Sequence, residues 1–141
     1  MVRVMSIVVR PATADGWSDL IAVFGRRGED PSWCWCQLFL RRATAKHRRN
    51  KRHQTWVTCF AVDRHYRRSG VGLALLQAAV EFAREHGATV VEGHPVDVVA
   101  LKAARVAPSA LYTGTKAMFA AAGFAEVART YPSRPVMRLA I

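Results

Sequence analysis

One stretch limits what this chain can become more than any other. From Trp56 to Gly87 it reads as an aromatic and β-branched run, a short basic turn bearing glycines, and then a helical apolar stripe closed by His86-Gly87. The first part, Trp56-Val57-Thr58-Cys59-Phe60-Ala61-Val62, has the composition of a mostly buried strand. The last, from Leu73 to Gly87, has helical spacing. A strand feeding a helix through such a turn aims unpaired backbone N–H groups and the positive end of the helix dipole at one spot. That spot suits an anion, and a phosphate best.

The rest of the chain has to build a single domain around this unit. Its 141 residues hold one core, and about half of them are apolar. No apolar run approaches the roughly 20 residues of a membrane span, and the N-terminus lacks a basic, apolar, small-residue signal pattern, so the expectation is cytoplasmic with no membrane partner. Three cysteines are too few for a disulfide framework. Cys34-Trp35-Cys36 has one spacer where zinc ribbons use two to four, which favours reduced, packed thiols and no metal. A formal charge of +11, mostly arginine, favours polyanions: nucleic acid, an anionic surface or a phosphorylated cofactor.

Along the chain, Val4 to Arg10 alternates as a half-buried strand ended by Pro11. Thr13 then caps a helix with Trp17, Leu20, Ile21 and Phe24 on its core side. The patch from Ser32 to Leu40 is read as packing ahead of pocket lining. Arg41 to His53 holds seven Lys and Arg residues and no acid. Such a run is ordinarily a solvated surface, and contact with a polyanion stays open as its alternative use. After the central unit, Thr89-Val90-Val91-Glu92-Gly93 reads as a second buried strand, giving a βαβ unit with a parallel pair. His94 to Ser109 is expected to be mostly loop, with a helical turn around Val99 to Ala104. A helix from Tyr112 to Ala122 is closed by Gly123-Phe124. Ala125 to Tyr131 and Val136 to Leu139 then form an antiparallel pair about Pro132-Ser133-Arg134.

In that order the elements resemble the GNAT superfamily of acetyl-CoA-dependent N-acetyltransferases. Val62-Asp63-Arg64-His65-Tyr66-Arg67-Arg68-Ser69-Gly70-Val71-Gly72 is similar to that family's central signature, with Arg67, Gly70 and Gly72 in its three defining places. The resemblance runs from Trp56 through Leu139, and the opening elements with Trp33-Cys34-Trp35-Cys36 resemble the start of one bacterial subgroup. It implies an α/β (α+β) fold: a single GNAT-like domain over residues 1–141, a mixed sheet with flanking helices and a central βαβ unit. It also implies acetyl-CoA as co-substrate and a primary amine as acceptor. The backbone of Arg68, Ser69, Gly70, Val71, Gly72 and Leu73, with the Arg67 and Arg68 side chains, would hold the pyrophosphate. Phe60, Ala61 and Val62 would pair with the pantetheine arm, and an amide there would stabilise the oxyanion.

An alkylamine is mostly protonated at neutral pH, so the chemistry needs a base. The central strand carries no acid. Glu92 on the next strand is the nearest carboxylate, with His94 second, and pairing of Glu92 with an arginine is the structural alternative. Phe119 stands where the family often has a general-acid tyrosine, which leaves Tyr112 as the substitute. One departure from the family is expected: only about fifteen residues separate Leu40 from Trp56, where a complete member has room for a helix and a strand pair. The N-terminal, acceptor-side half is therefore expected to be incomplete, with an open sheet edge that invites a homodimer. Two other functions stay in view. One is a catalytically impaired CoA-binding remnant of the family. The other is a basic nucleic-acid-binding module using Arg41 to His53, whose binding would depend steeply on salt.

Overall fold

The computed structural model describes residues 6–24, 54–57, 59–101 and 108–141, without the side chains of 24, 54–56 and 108–110. The expectations placed on Ser32 to Leu40, on Arg41 to His53 and on the shortened middle lie outside the described residues.

Three helices and four strands make up the described fold: α1 (Trp17–Phe24), β1 (Gln54–Val57), α2 (Val71–Glu85), β2 (Val90–Gly93), α3 (Lys116–Ala121), β3 (Ala125–Tyr131) and β4 (Arg134–Ala140). The strands form one mixed sheet in the order β1-β2-β4-β3. β1 and β2 run parallel, with Val57 opposite Gly93, and α2 connects them, as the βαβ reading requires. β4 returns antiparallel beside β2, and β3 pairs antiparallel on its far side through the Pro132-Ser133 turn.

Helix α2 buries Leu76, Val80 and Ala83, at the i, i+4, i+7 spacing of a helical stripe. It ends in a paired C-terminal motif, Gly87 N–H to Arg84 O at 3.0 Å and Ala88 N–H to Ala83 O at 2.9 Å. Its stripe joins Val91 of β2, Met137 of β4 and Phe119 and Phe124 at the two ends of the α3 turn in one core. The Phe119 ring meets Phe124 edge to face at 4.9 Å and Phe60 at 6.2 Å. Gly93 lies directly beneath that ring. A Cβ at residue 93 would fall 2.6 Å from Phe119 Cζ, so only glycine lets the strand pass the buried aromatic.

Several expectations are corrected. Residues 6–10 are not a strand, and Val8 is 85% exposed. Alternation gives a strand two faces, but it becomes one only beside a neighbouring backbone, and none of the described strands pairs with it. Trp17, expected in the core, is 53% exposed, while Leu20 and Ile21 are half-buried. The strand expected from Trp56 to Val62 stays in the ladder only through Val57, and beyond it Phe60 N–H turns to Tyr112 O at 2.6 Å. The helix expected from Tyr112 to Ala122 divides into a 3-10 segment, Pro108–Thr113, and α3. The division falls at Thr115, whose side chain accepts from Met118 N–H as an N-cap. Residues 98–101 form the expected turn within the long loop, and residues 102–104 lie outside the described residues.

Candidate functional site

The carboxyl ends of β1 and β2 point the same way, and beyond the ends of parallel strands is where such sheets open a crevice. Three chain segments meet there. The segment after β1 is tied to the 3-10 segment by the Phe60–Tyr112 bond, and the segment after β2 is tied to α3 by Val96 N–H to Gly114 O, 2.9 Å, and Lys116 N–H to Val96 O, 2.8 Å. The first turn of α2 closes the third side, since a Cβ at Gly72 would lie 3.0 Å from Met118 Sδ.

The turn that opens α2 is shaped by its own side chains. Asp63 caps the short 3-10 turn Arg64–Tyr66, accepting from His65 N–H at 2.9 Å and lying 2.8 Å from His65 Nδ1. Arg67 Nε donates to Val62 O at 3.1 Å, which folds the turn back on the end of the β1 segment. Ser69 Oγ donates to Tyr66 O. Arg68 has φ +61° and Gly70 φ +87°; among the described residues, Arg68 alone combines a side chain with positive φ. The left-handed region costs a side-chain-bearing residue roughly 1–2 kcal/mol, and alternation of backbone hand is the geometry by which successive N–H groups face one concavity. Gly70 caps α2 with no side chain of its own. The N–H groups of Val71, Gly72 and Leu73 therefore precede the first helical bond, Ala74 N–H to Gly70 O at 3.0 Å. These backbone donors, with the exposed Arg67 and Arg68, fit a diphosphate.

The sequence-read cofactor residues thus fall into two groups. Arg67, Arg68, Ser69, Gly70, Val71, Gly72 and Leu73 form one continuous turn. Phe60, Ala61 and Val62 form the neighbouring segment, half-buried and outside the ladder, with Phe60 N–H and Val62 O already hydrogen-bonded within the protein.

Glu92 and Tyr112 are not in the same setting. Tyr112 is 49% exposed, and its main chain, through the carbonyl, holds the Phe60 segment. Glu92 is 4% exposed; it stands opposite Arg138 in the ladder, accepts from Arg138 Nε at 2.6 Å, and lies 3.1 Å from His94 Nε2. Burial pushes its carboxyl up, but the hydrogen bond and charge of Arg138, then of His94, outweigh that and hold it below the usual carboxylate range.

Two contributors were missed from the sequence. Arg138 sits in a strand whose partner is unknown until the sheet is assembled, so nothing local marks it. Asp97 did carry a local signal, an acid opening a turn: its Oδ1 accepts from Val99 and Ala100 N–H at 3.2 and 3.3 Å. Its other oxygen meets Arg129 at 3.1 Å and Lys116 at 3.5 Å, and both cations also reach Glu126, at 2.7 and 2.8 Å. This network fastens the loop after β2 to α3 and β3.

Among the described residues, no cluster of three His, Cys, Asp or Glu is placed to hold a metal ion, and no helix is long and apolar enough to cross a membrane. A family model described as "Acetyltransferase (GNAT) family" matches residues 20–106. Neither the curated proteins nor the solved structures give a match.

Proposed function

The chain belongs to the acetyltransferase (GNAT) family, and from that membership we propose that it transfers an acetyl group from acetyl-CoA to a primary amine. The coarse part, an acyltransferase-type enzyme, comes with the family. The observation that carries the finer reading is the turn from Arg67 to Gly72, where two positive-φ residues and the uncapped start of α2 turn backbone donors toward one place.

In this reading the amides of Arg68 through Leu73 bind the diphosphate, and Arg67 and Arg68 add charge-assisted bonds. Arg67 is fixed for that role by its bond to Val62 O. The remaining backbone groups of Phe60, Ala61 and Val62 align the pantetheine arm in the crevice, and an amide donor there stabilises charge on the thioester oxygen, a contribution of about 100- to 1000-fold in comparable sites. The amine nitrogen attacks the thioester carbon and the C–S bond breaks. Glu92 and Tyr112 are the proposed proton-handling groups, the first for the amine and the second for the departing thiolate.

The test is a thermal-shift titration with acetyl-CoA run beside a thiol-release assay on primary amines. A ligand at 100 times its Kd adds about 2.7 kcal/mol to stability, so saturable binding raises Tm by several degrees. Gly70→Val, which places a β-branched residue at positive φ, should abolish the shift. No shift at millimolar acetyl-CoA would overturn the proposal. A shift without amine-dependent thiol release would support the impaired CoA-binding remnant instead.

A further inference from the structure

The face of the sheet away from α2 and α3 carries Glu92 and Arg138, because Val91 and Met137 turn into the core and side chains alternate along a strand. Arg134, four residues before Arg138 on β4, stands on that same face, about 13 Å along the strand. Past Gly93 the chain keeps to the line of β4, since Asp97 N–H reaches Ser133 O at 3.0 Å. On the other side of this segment Val96, fully buried, bridges to Thr115. The Arg134 side chain crosses the segment, and its Nη1 donates to Thr113 Oγ1 at 2.9 Å. Thr113 follows Tyr112, whose carbonyl holds the Phe60 segment, so the guanidinium is anchored at the crevice.

Four cations lie between residues 108 and 141. Arg138 meets Glu92, while Lys116 and Arg129 share Asp97 and Glu126. Arg134 meets no carboxylate among the described residues, and its bond is to a neutral hydroxyl. It is half-buried, and a guanidinium keeps its charge at any ordinary pH. A cation so placed favours a counter-charge brought from outside the chain, because partial burial removes water that would otherwise solvate it. We infer that Arg134 selects the acceptor, binding a carboxylate carried by the amine substrate. The inference rests on the transferase reading and names the acceptor class within it. Thr113 fixes one end of the guanidinium, and the other N–H groups present a planar fork that fits the two oxygens of a carboxylate. One spare cation matches the single charge of a carboxylate, whereas a phosphate monoester brings about −1.5 to −2 at pH 7. The carboxylate is bound and not transformed, and the amine end lies on the face from which Glu92 projects, the group proposed to handle its proton.

The experiment measures thiol release by the full chain with acetyl-CoA and matched amines: alanine and alaninamide, 4-aminobutanoate and 4-aminobutanamide, Nα-acetyl-lysine and its carboxamide. Within each pair, kcat/KM for the carboxylate is divided by that for the amide. In the wild-type chain at least one pair is expected to favour the carboxylate by about tenfold or more. Arg134→Gln should lower that ratio about 10- to 100-fold, and Arg134→Lys, which keeps the charge without the fork, should lower it less. Comparing one pair across the proteins cancels any difference in amine basicity. A merely structural arginine would slow both members of the pair alike, and an unchanged ratio in Arg134→Gln overturns the inference. Wild-type turnover with no pair favouring the carboxylate overturns it without any variant having to fold, and leaves the transferase reading standing. A larger preference for O-phosphoethanolamine over ethanolamine, lost in Arg134→Gln, assigns the site to a phosphate and overturns the carboxylate. Absence of wild-type turnover with every amine overturns the inference together with the transferase reading.

Discussion

Helices α1 and α2 both carry an apolar stripe, yet they end in opposite circumstances. Leu76 of α2 is fully buried and Val80 and Ala83 nearly so, in a core shared with β2, β4 and α3. In α1, Trp17 is 53% and Val23 43% exposed, and neither belongs to that core. Apolar spacing sets which face a helix offers, but burial needs a complementary face at the right place. The βαβ connection gives α2 that face, because the strands it links lie beneath it. Among the described residues, no strand is joined to α1 in that way.

The sharpest test of this contrast compares large-to-alanine changes. Phe119→Ala should cost about 3–5 kcal/mol and Leu76→Ala about 2–5 kcal/mol, while Trp17→Ala should stay within about 0.5 kcal/mol, all read from urea unfolding. A Trp17→Ala loss as large as that of Leu76→Ala would erase the distinction. Gly93→Val belongs with the first group, since its side chain must displace a fully buried ring. A smaller effect is expected within the turn: Arg68→Gly, at φ +61°, should relieve the left-handed cost and stabilise by about 1 kcal/mol, whereas Arg68→Ala should lower acetyl-CoA affinity more than it changes stability.

The smallest effect concerns pH and the ionic fastening of the C-terminal half. Hydrogen bonds from Arg129 and Lys116 push Glu126 down to about 2 from its ordinary 4.5. For Asp97, burial acts upward but the Ala100 N–H, Arg129 and Lys116 prevail, and its value too is lowered. A depressed folded value means the contribution is fully present above the unfolded value and is lost as pH falls through the folded one. Tm should therefore be level from pH 7 to about 5 and fall between about 4.5 and 2, with a shallower fall in Glu126→Gln. These groups are partly solvated, so the change should be modest. Equal acid profiles for the two proteins would show the network to be without weight.

Much of the C-terminal half was legible. Ala125 to Tyr131 was delimited by turn residues and alternation, and Leu73 to Gly87 by spacing and its glycine stop. The turn from Arg67 to Gly72 was legible because a glycine-bearing connection between strand and helix has few backbone solutions. The separation of Pro108–Thr113 from α3 was missed although Thr115 carried a cap signal, because the surrounding apolar run suggested one helix. Glu92 was picked out as the acid nearest the crevice, but its commitment to Arg138 depends on strand order, which brings residues 46 apart in the chain into contact.

The sequence by itself determined the strand–turn–helix and the family to which it leads, because those features rest on local backbone preference and on spacing within a few turns. Tertiary structure decided which apolar faces were buried and how Glu92 was to be used. Both depend on which strand lies next to which, and that is settled by packing between distant segments rather than by any residue's own propensity.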